Sequence, residues 1–300
     1  MTWDTAAKWL IIAAAVLLDV VLLGTLDLRL DLQSLIRPLG FAVLLTVVGL
    51  YYRWRNESDF VLCINALLHL VLFSSSYTIL MYCLATFNRP LIDPLLVDID
   101  AGLRCHLPAI VSWAKAHPTV ERMLHLAYDT LLPQTALIAV LGLVGDRRPL
   151  EVFVQRFMIS ALLTAALFYA YPAAGPFEAF GYELSDVQAR YMAHFEGLRA
   201  GQMETISLQQ AEGLITFPSF HATWAILLAL SCWHRPWLFA LSAVLNGMVL
   251  IATLTTGWHY LADVLAGAIV AVVAIGACHW LDRWVYPTEP AVESALPSEK

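Results

Sequence analysis

The chain has 300 residues, 60% of them hydrophobic and 14% charged, and a mean hydropathy of +0.69. Soluble domains run near 45–50% apolar and about 25% charged, which excludes a water-soluble fold. A formal net charge of −7 argues against a nucleic-acid surface, and the apolar load excludes general disorder. The chain therefore reads as an all-α, polytopic membrane helix bundle. Of its cysteines, Cys63, Cys83, Cys232 and Cys278 lie inside apolar runs and Cys105 in a loop. Without a Cys-x-x-Cys pair they support neither a zinc site nor a disulfide framework, and the four in apolar runs read as small buried side chains.

In chain order, eight apolar segments approach the roughly 20 residues that a spanning helix needs. They are Trp9–Leu26 (interrupted by Asp19), Pro38–Tyr52, Phe60–Thr86, Met123–Val144, Val152–Tyr171, Pro218–Trp233, Trp237–Thr256 and Trp258–Leu281. The first has Lys8 as a positive flank but no small-residue cleavage site before Asp27, so it reads as an uncleaved span. Between the third and fourth spans, Phe87–Arg122 mixes Leu103, Ile110, Val111 and Trp113 with Arg104 and Lys115, which fits an interfacial helix or a simple loop equally. Tyr286–Lys300, rich in Pro, Glu and Ser, reads as a disordered tail. The chain thus divides into N-terminal membrane helices with an outer segment (1–122), a catalytic membrane domain (123–283) and a tail (284–300), the catalytic core being the C-terminal six-helix part.

Eight spans put both termini on one side with the loops Arg53–Asp59, Gly145–Glu151 and His234–Pro236. Arg53, Arg55, Arg147, Arg148 and Arg235 mark that side as cytoplasmic. The long connections Phe87–Arg122 and Pro172–Gly213 then face outward, as do the N-terminal ends of the sixth and eighth spans.

Those two ends carry the chemistry. Ionisable groups in membrane segments are costly and point to function. Phe217-Pro218-Ser219-Phe220-His221 opens the sixth span, and Gly257-Trp258-His259-Tyr260-Leu261-Ala262-Asp263 opens the eighth. A helix N-terminus binds anions through unpaired N–H groups and the positive end of its dipole. Pro218 suits the first turn, and Ser219 can add a hydroxyl. His259 and Asp263, four apart, would share one helix face, so the carboxylate could hold one ring nitrogen and leave the other free to attack. His221 could protonate a leaving oxygen. Two histidines, a carboxylate and two helix ends point to phosphoryl chemistry.

These residues resemble the type 2 phosphatidic acid phosphatase superfamily. Pro218-Ser219-Phe220-His221 is similar to its second motif, and His259 with Asp263 to its third. The resemblance is nearer to the branch of inositol phosphorylceramide synthases and their bacterial relatives. Segments similar to Pro172-Ala173-Ala174-Gly175-Pro176, Leu198-Arg199-Ala200-Gly201 and Gly257-Trp258-His259-Tyr260 recur in that branch. It covers roughly Gln134 to Leu281. The resemblance implies that His259 carries a phospho-histidine, that Asp263 orients it and that His221 is the general acid. The chain departs from the common pattern at Phe220, where a glycine is usual, and at Thr253, where an arginine is usual. The Lys-x6-Arg-Pro motif is absent, and the similar Arg147-Arg148-Pro149 falls on the wrong face. Arg199 becomes the candidate phosphate ligand beside Ser219, because its guanidinium fork can clamp a phosphate. Arg190 is a weaker candidate.

The expected activity is a lipid phosphotransferase or phosphatase at the outer face. A phospholipid would be the donor and a lipid alcohol or water the acceptor. No metal or other cofactor is required, because helix ends and arginine supply the positive field. A bacterial inner membrane, with the site facing the periplasm or exterior, is the expected location. The alternative is a lipid or solute transporter in which Asp19, His69 and Asp263 relay protons without covalent chemistry. Asp19, His69, Gln134 and Asn246 are otherwise expected to make interhelical hydrogen bonds. Tyr128 and Asp129 could line a substrate entrance.

Overall fold

The computed structural model describes residues 5–145 and 147–285. The expected disordered tail falls almost wholly outside the described residues. The helices are α1 (Thr5–Thr25), α2 (Ile36–Trp54), α3 (Ser58–Ala85), α4 (Asp93–Gly102), α5 (Leu107–Lys115), α6 (Pro118–Tyr128), α7 (Leu131–Val144), α8 (Arg148–Ala170), α9 (Pro176–Ala179), α10 (Asp186–Arg199), α11 (Phe220–Ser231), α12 (Pro236–Thr255) and α13 (Leu261–Val285). Strand β1 (Arg29–Leu30) pairs in parallel with β2 (Thr205–Ile206), a two-residue ladder that ties the end of α1 to the second long connection. The fold is the all-α polytopic bundle read from composition.

The span count needs correction. Among the described residues, six helices are long and apolar enough to cross a membrane, and a seventh span is possible if α6 and α7, bent by 44°, count as one. Every expected span is helical. The sixth, however, is only the 12-residue α11. At 1.5 Å per residue that is about 18 Å, short of the roughly 30 Å hydrocarbon layer.

Prolines punctuate the helices. Pro94, Pro108, Pro118, Pro149 and Pro236 stand in the first turns of α4, α5, α6, α8 and α12, where a missing N–H costs nothing. Three of them divide the first long connection into consecutive short helices, so neither a simple loop nor a single interfacial helix describes it. Leu96, Leu107 and Val111 from α4 and α5 are buried with Ala173, Tyr260 and Ala262. The segment packs onto protein.

The main core lies between α3, α7, α8, α11, α12 and α13, around Phe73, Phe153, Met158, Leu228 and Val249. Helices α1 and α2 pack on α3 and leave Leu17, Val20, Val43, Val47 and Leu50 exposed, as lipid-facing surfaces require. Of the polar side chains expected to bond across helices, Gln134, Asn246 and Asp19 do, whereas the buried Nε2 of His69 has no hydrogen-bond partner among the described residues and its ring packs edge-on to Trp9. Gln134 and Asn246 exchange amide bonds of 2.7 and 3.3 Å between α7 and α12, and the Ser76 hydroxyl donates to Asp19 at 2.5 Å between α3 and α1.

The bundle has two distinct ends. The last turns of α3 and α8 and the first turns of α11 and α13 meet the long connections at one of them. The other holds the Arg147–Asp59 ion pair at 2.9 Å and the Gln155–Asp282 bond at 3.1 Å. Helices α11 and α13 cross closely, because the Thr223 hydroxyl donates to the Gly267 carbonyl at 2.8 Å and a Cβ at Gly267 would collide with the Ser219 carbonyl oxygen. Overpacking of this kind costs about 1–3 kcal/mol. Gly267→Ala should therefore lower the melting temperature of the detergent-solubilised protein by several degrees, read in a thermal unfolding scan.

Candidate active site

The sixth-span motif folds as a capped helix start. Ser219 is the N-cap of α11, and its hydroxyl oxygen accepts from the Ala222 N–H at 3.3 Å. Pro218 lies outside the helix, after a cis peptide bond from Phe217, and not in the first turn as expected. The Ser219 N–H donates to the Asp263 carbonyl at 3.1 Å, which joins the starts of α11 and α13. Ser219 is fully buried. Its hydroxyl oxygen serves the cap, leaving a phosphate at most its proton. The Phe220 ring enters an aromatic group with Tyr77, Phe157 and Trp224, filling space that a glycine would leave open.

The eighth-span motif differs from its expected geometry. Helix α13 begins at Leu261, so His259 precedes it and does not share a helix face with Asp263. The two still meet. Asp263 sits in the first turn and reaches back to the Tyr260 N–H at 2.9 Å, as the third residue of a capping box does. The same oxygen, Oδ2, lies 3.4 Å from His259 Nδ1. The hydrogen bond of that nitrogen goes instead to the Thr216 carbonyl, at 2.9 Å. A carbonyl can only accept, so Nδ1 carries the proton and Nε2 keeps its lone pair.

Helix α13 also offers no vacant anion site. The Leu261 and Ala262 N–H groups are taken by the Asp100 carboxylate at 2.9 and 2.8 Å, and Tyr260 N–H by Asp263. The expected phosphate-binding end is saturated with carboxylates because a buried helix start must find acceptors within the protein. At α11, Ser219 serves Ala222 and Thr223, which leaves the N–H groups of Phe220 and His221 as that helix's orphan donors.

The two histidines are neighbours, with ring centroids 5.9 Å apart. His221 is half-buried and stacks on Tyr128 at 4.6 Å, beside the bend between α6 and α7. His259 is buried, and burial pushes its imidazole down to about 4 from an ordinary 6.5, opposed by the bond to Thr216.

The PAP2 superfamily model matches residues 94–277, more than half of the chain. The chain belongs to the PAP2 superfamily. No curated protein and no solved structure matches it. Members of the PAP2 superfamily are phosphatases and phosphotransferases, so this integral membrane protein is an enzyme acting on phosphate esters.

In this PAP2 protein the arginines stand apart from the histidine pair. Arg199, on α10, donates to the Arg89 carbonyl at 2.9 Å and lies over the Phe195 ring at 5.3 Å. It lines a cavity of about 290 Å³ with Ala174, Glu178 and Phe195, and neither histidine is among the residues bordering that space. Arg190 is engaged by Glu212 at 2.7 Å. Arg147 pairs with Asp59 at the opposite end of the bundle. Thr253, where the usual pattern has an arginine, is buried and accepts the His259 N–H on its carbonyl at 3.2 Å. Among the described residues, no group of three His, Cys, Asp or Glu side chains is placed to hold a metal ion.

The sequence reading missed Thr216, Asp93, Asp100 and Tyr260. Thr216 acts through its backbone carbonyl, which leaves no side-chain signal, and Asp93 and Asp100 act across more than 70 residues of chain. The tautomer gives a direct test. Nitrogen NMR of histidine-labelled protein, assigned with His259→Gln, should show His259 protonated at Nδ1 and not at Nε2 until the pH falls to about 4. A His259 signal that titrates near 6.5 would contradict this.

Proposed function

We propose that the enzyme transfers a phosphate-linked head group from a phospholipid to a lipid alcohol through a phospho-histidine at His259. The observation that carries this reading is the His221–His259 pair, in which the free Nε2 of His259 faces no competing proton of its own. His259 Nε2 attacks phosphorus and forms an N–P bond while the P–O bond to diacylglycerol breaks. His221, which burial and the neighbouring His259 hold well below its ordinary range, takes up a proton as the anionic substrate binds and gives it to the departing oxygen. The acceptor hydroxyl then attacks phosphorus, returns a proton to His221 and frees His259. Asp263, at 3.4 Å, offsets the positive charge on the phosphorylated ring. The orphan N–H groups at the start of α11 are the donors beside the histidine pair for phosphate oxygens.

Two features support transfer over hydrolysis. His259 is buried, which keeps bulk water from the N–P bond. Phe220 also adds a ring where the common phosphatase pattern has glycine, in keeping with the inositol phosphorylceramide synthase-like branch. Arg147 pairs with Asp59 and Arg235 lies against Gly145 in the short loops at the end of the bundle away from the histidines. This supports an active site on the outer face of the membrane, although the long connections at the site's end carry Arg89, Arg104, Lys115, Arg122, Arg190 and Arg199 as well. The transport alternative is less well supported. Asp19 Oδ1, His69 Nε2 and Asp263 Oδ1 are buried without a hydrogen-bond partner among the described residues. Asp19, however, is bound by Ser76 through its other oxygen, His69 packs edge-on to Trp9, Asp263 serves α13, and no hydrogen bond among the described residues links the three.

The test uses purified protein in lipid nanodiscs with phosphatidylinositol labelled in its head group, with and without ceramide or diacylglycerol, and with labelled phosphatidic acid. Label on a new lipid is the expected result, and label released only as water-soluble phosphate would reassign the enzyme as a phosphatase. His259→Ala should reduce turnover by more than about a thousandfold. His221→Ala should reduce it by about a hundredfold to ten-thousandfold, less so for a donor with an acidic leaving alcohol.

A further inference from the structure

We infer that α4 is a clamp on the loop that carries His259, and that Asp93 and Asp100 are positioning residues for the phosphoryl-transfer step. The inference rests on the reading of His259 as the attacking group. The two aspartates stand seven residues apart, two turns of one helix, and both are buried. Neither forms a salt bridge among the described contacts, although Arg199 lies near enough to Asp93 for their charges to interact. Each carboxylate is instead spent on the backbone and hydroxyl donors that flank His259.

Asp93 acts on two strands of chain at once. Its Oδ2 accepts the Ala174 N–H at 2.8 Å, and its Oδ1 accepts the Gly175 N–H at 2.8 Å and the Tyr260 hydroxyl at 3.0 Å. Tyr260 is the residue after the nucleophile. The Ala174 carbonyl, held in place by these bonds, accepts from the Tyr191 hydroxyl at 3.0 Å and the Thr216 hydroxyl at 3.2 Å. Thr216 in turn presents the carbonyl that holds His259 Nδ1. Asp93 thus reaches the ring by two routes, through the neighbouring tyrosine and through the carbonyl that sets the tautomer. Asp100 closes the third side. Its two oxygens take the Leu261 and Ala262 N–H groups, so the direction in which α13 leaves the His259 loop depends on where α4 docks.

A helix start needs only a local cap for stability. Here the cap comes from a helix 161 residues earlier in the chain, which makes the position of His259 a property of tertiary docking. The arrangement also has an electrostatic consequence. Asp100 and Asp263 occupy the first-turn N–H groups of α13, and Asp263 lies on the Nδ1 side of the ring, which disfavours phosphate there and leaves the Nε2 side for the substrate. It also favours the cationic ring that forms when Nε2 bonds phosphorus while Nδ1 keeps its proton.

The test uses full-length protein in nanodiscs and five variants: Asp93→Asn, Asp100→Asn, Tyr260→Phe, the double variant Asp93→Asn with Tyr260→Phe, and His259→Ala. Two readouts are taken, turnover with labelled phosphatidylinositol or phosphatidic acid and the nitrogen NMR signal of His259, which needs no substrate. Because displacements of about 1 Å cost on the order of a hundredfold, the two Asn variants should lose about ten- to a hundredfold in kcat with KM changed less than about threefold. Tyr260→Phe removes one hydroxyl without disturbing the apolar packing, and should shift the His259 Nδ1 signal and lower kcat by about threefold or more. Its effect should not add to that of Asp93→Asn. Where an Asn variant fails to fold, Tyr260→Phe carries the test. Folded variants with wild-type kcat and an unmoved His259 signal would overturn the clamp. Retained turnover in His259→Ala would overturn the nucleophile reading instead, so the two failures are distinguishable.

Discussion

The hydrogen bond from His259 Nδ1 to the Thr216 carbonyl organises this site, because it decides which nitrogen of the ring is free. Everything around it serves to keep donor and acceptor in register. Thr216 is fixed through its hydroxyl to the Ala174 carbonyl, the Ala174 and Gly175 N–H groups are fixed to Asp93, and Asp93 is bonded to the residue after His259. The circuit closes on itself without a charged partner from solvent. In a buried, low-dielectric setting such closed networks are strong when complete and costly when broken.

The same economy explains the start of α13. A helix start inside protein leaves N–H groups that water cannot reach, and each needs an acceptor. Asp100 and Asp263 supply three, so the helix end that would ordinarily attract an anionic ligand has already bound the protein's own carboxylates. In the proposed reaction the phosphate is therefore drawn to the other side of His259, toward His221 and the first turn of α11. The helix end that a simple motif reading would assign to substrate binding is used to hold the loop that carries His259.

Close helix crossing is the second condition on this geometry. Gly267 lets the Ser219 carbonyl lie against α13, and Thr223 bonds the Gly267 carbonyl. Ser219 then donates to the Asp263 carbonyl. The His221 helix and the Asp263 helix are joined at their first turns, and the 5.9 Å separation of the histidine rings follows from that junction. Tyr128, stacked on His221 at the bend between α6 and α7, extends the contact to the surface of the bundle.

Composition and hydropathy were enough to identify a membrane helix bundle, since lipid leaves the backbone little choice but internal hydrogen bonding. They also located all the apolar helices, although length alone could not reveal that the sixth is a 12-residue piece or that the fourth is bent. The pairing of His221, His259 and Asp263 was legible because their motifs are local, as was the Gln134–Asn246 pair because isolated polar groups in apolar helices need partners. Tertiary structure decided the rest. Asp93-Pro94 has the local pattern of a helix start, yet the Asp93 carboxylate is spent on Ala174, Gly175 and Tyr260, and nothing near Asp100 in sequence points to Leu261. Arg199 lies in a segment similar to a family motif but is turned to Arg89 and Phe195. A sequence records which groups require a partner; which partner each finds depends on how segments far apart in the chain dock, because hydrogen bonds act over a few ångströms in space and carry no memory of separation along the backbone.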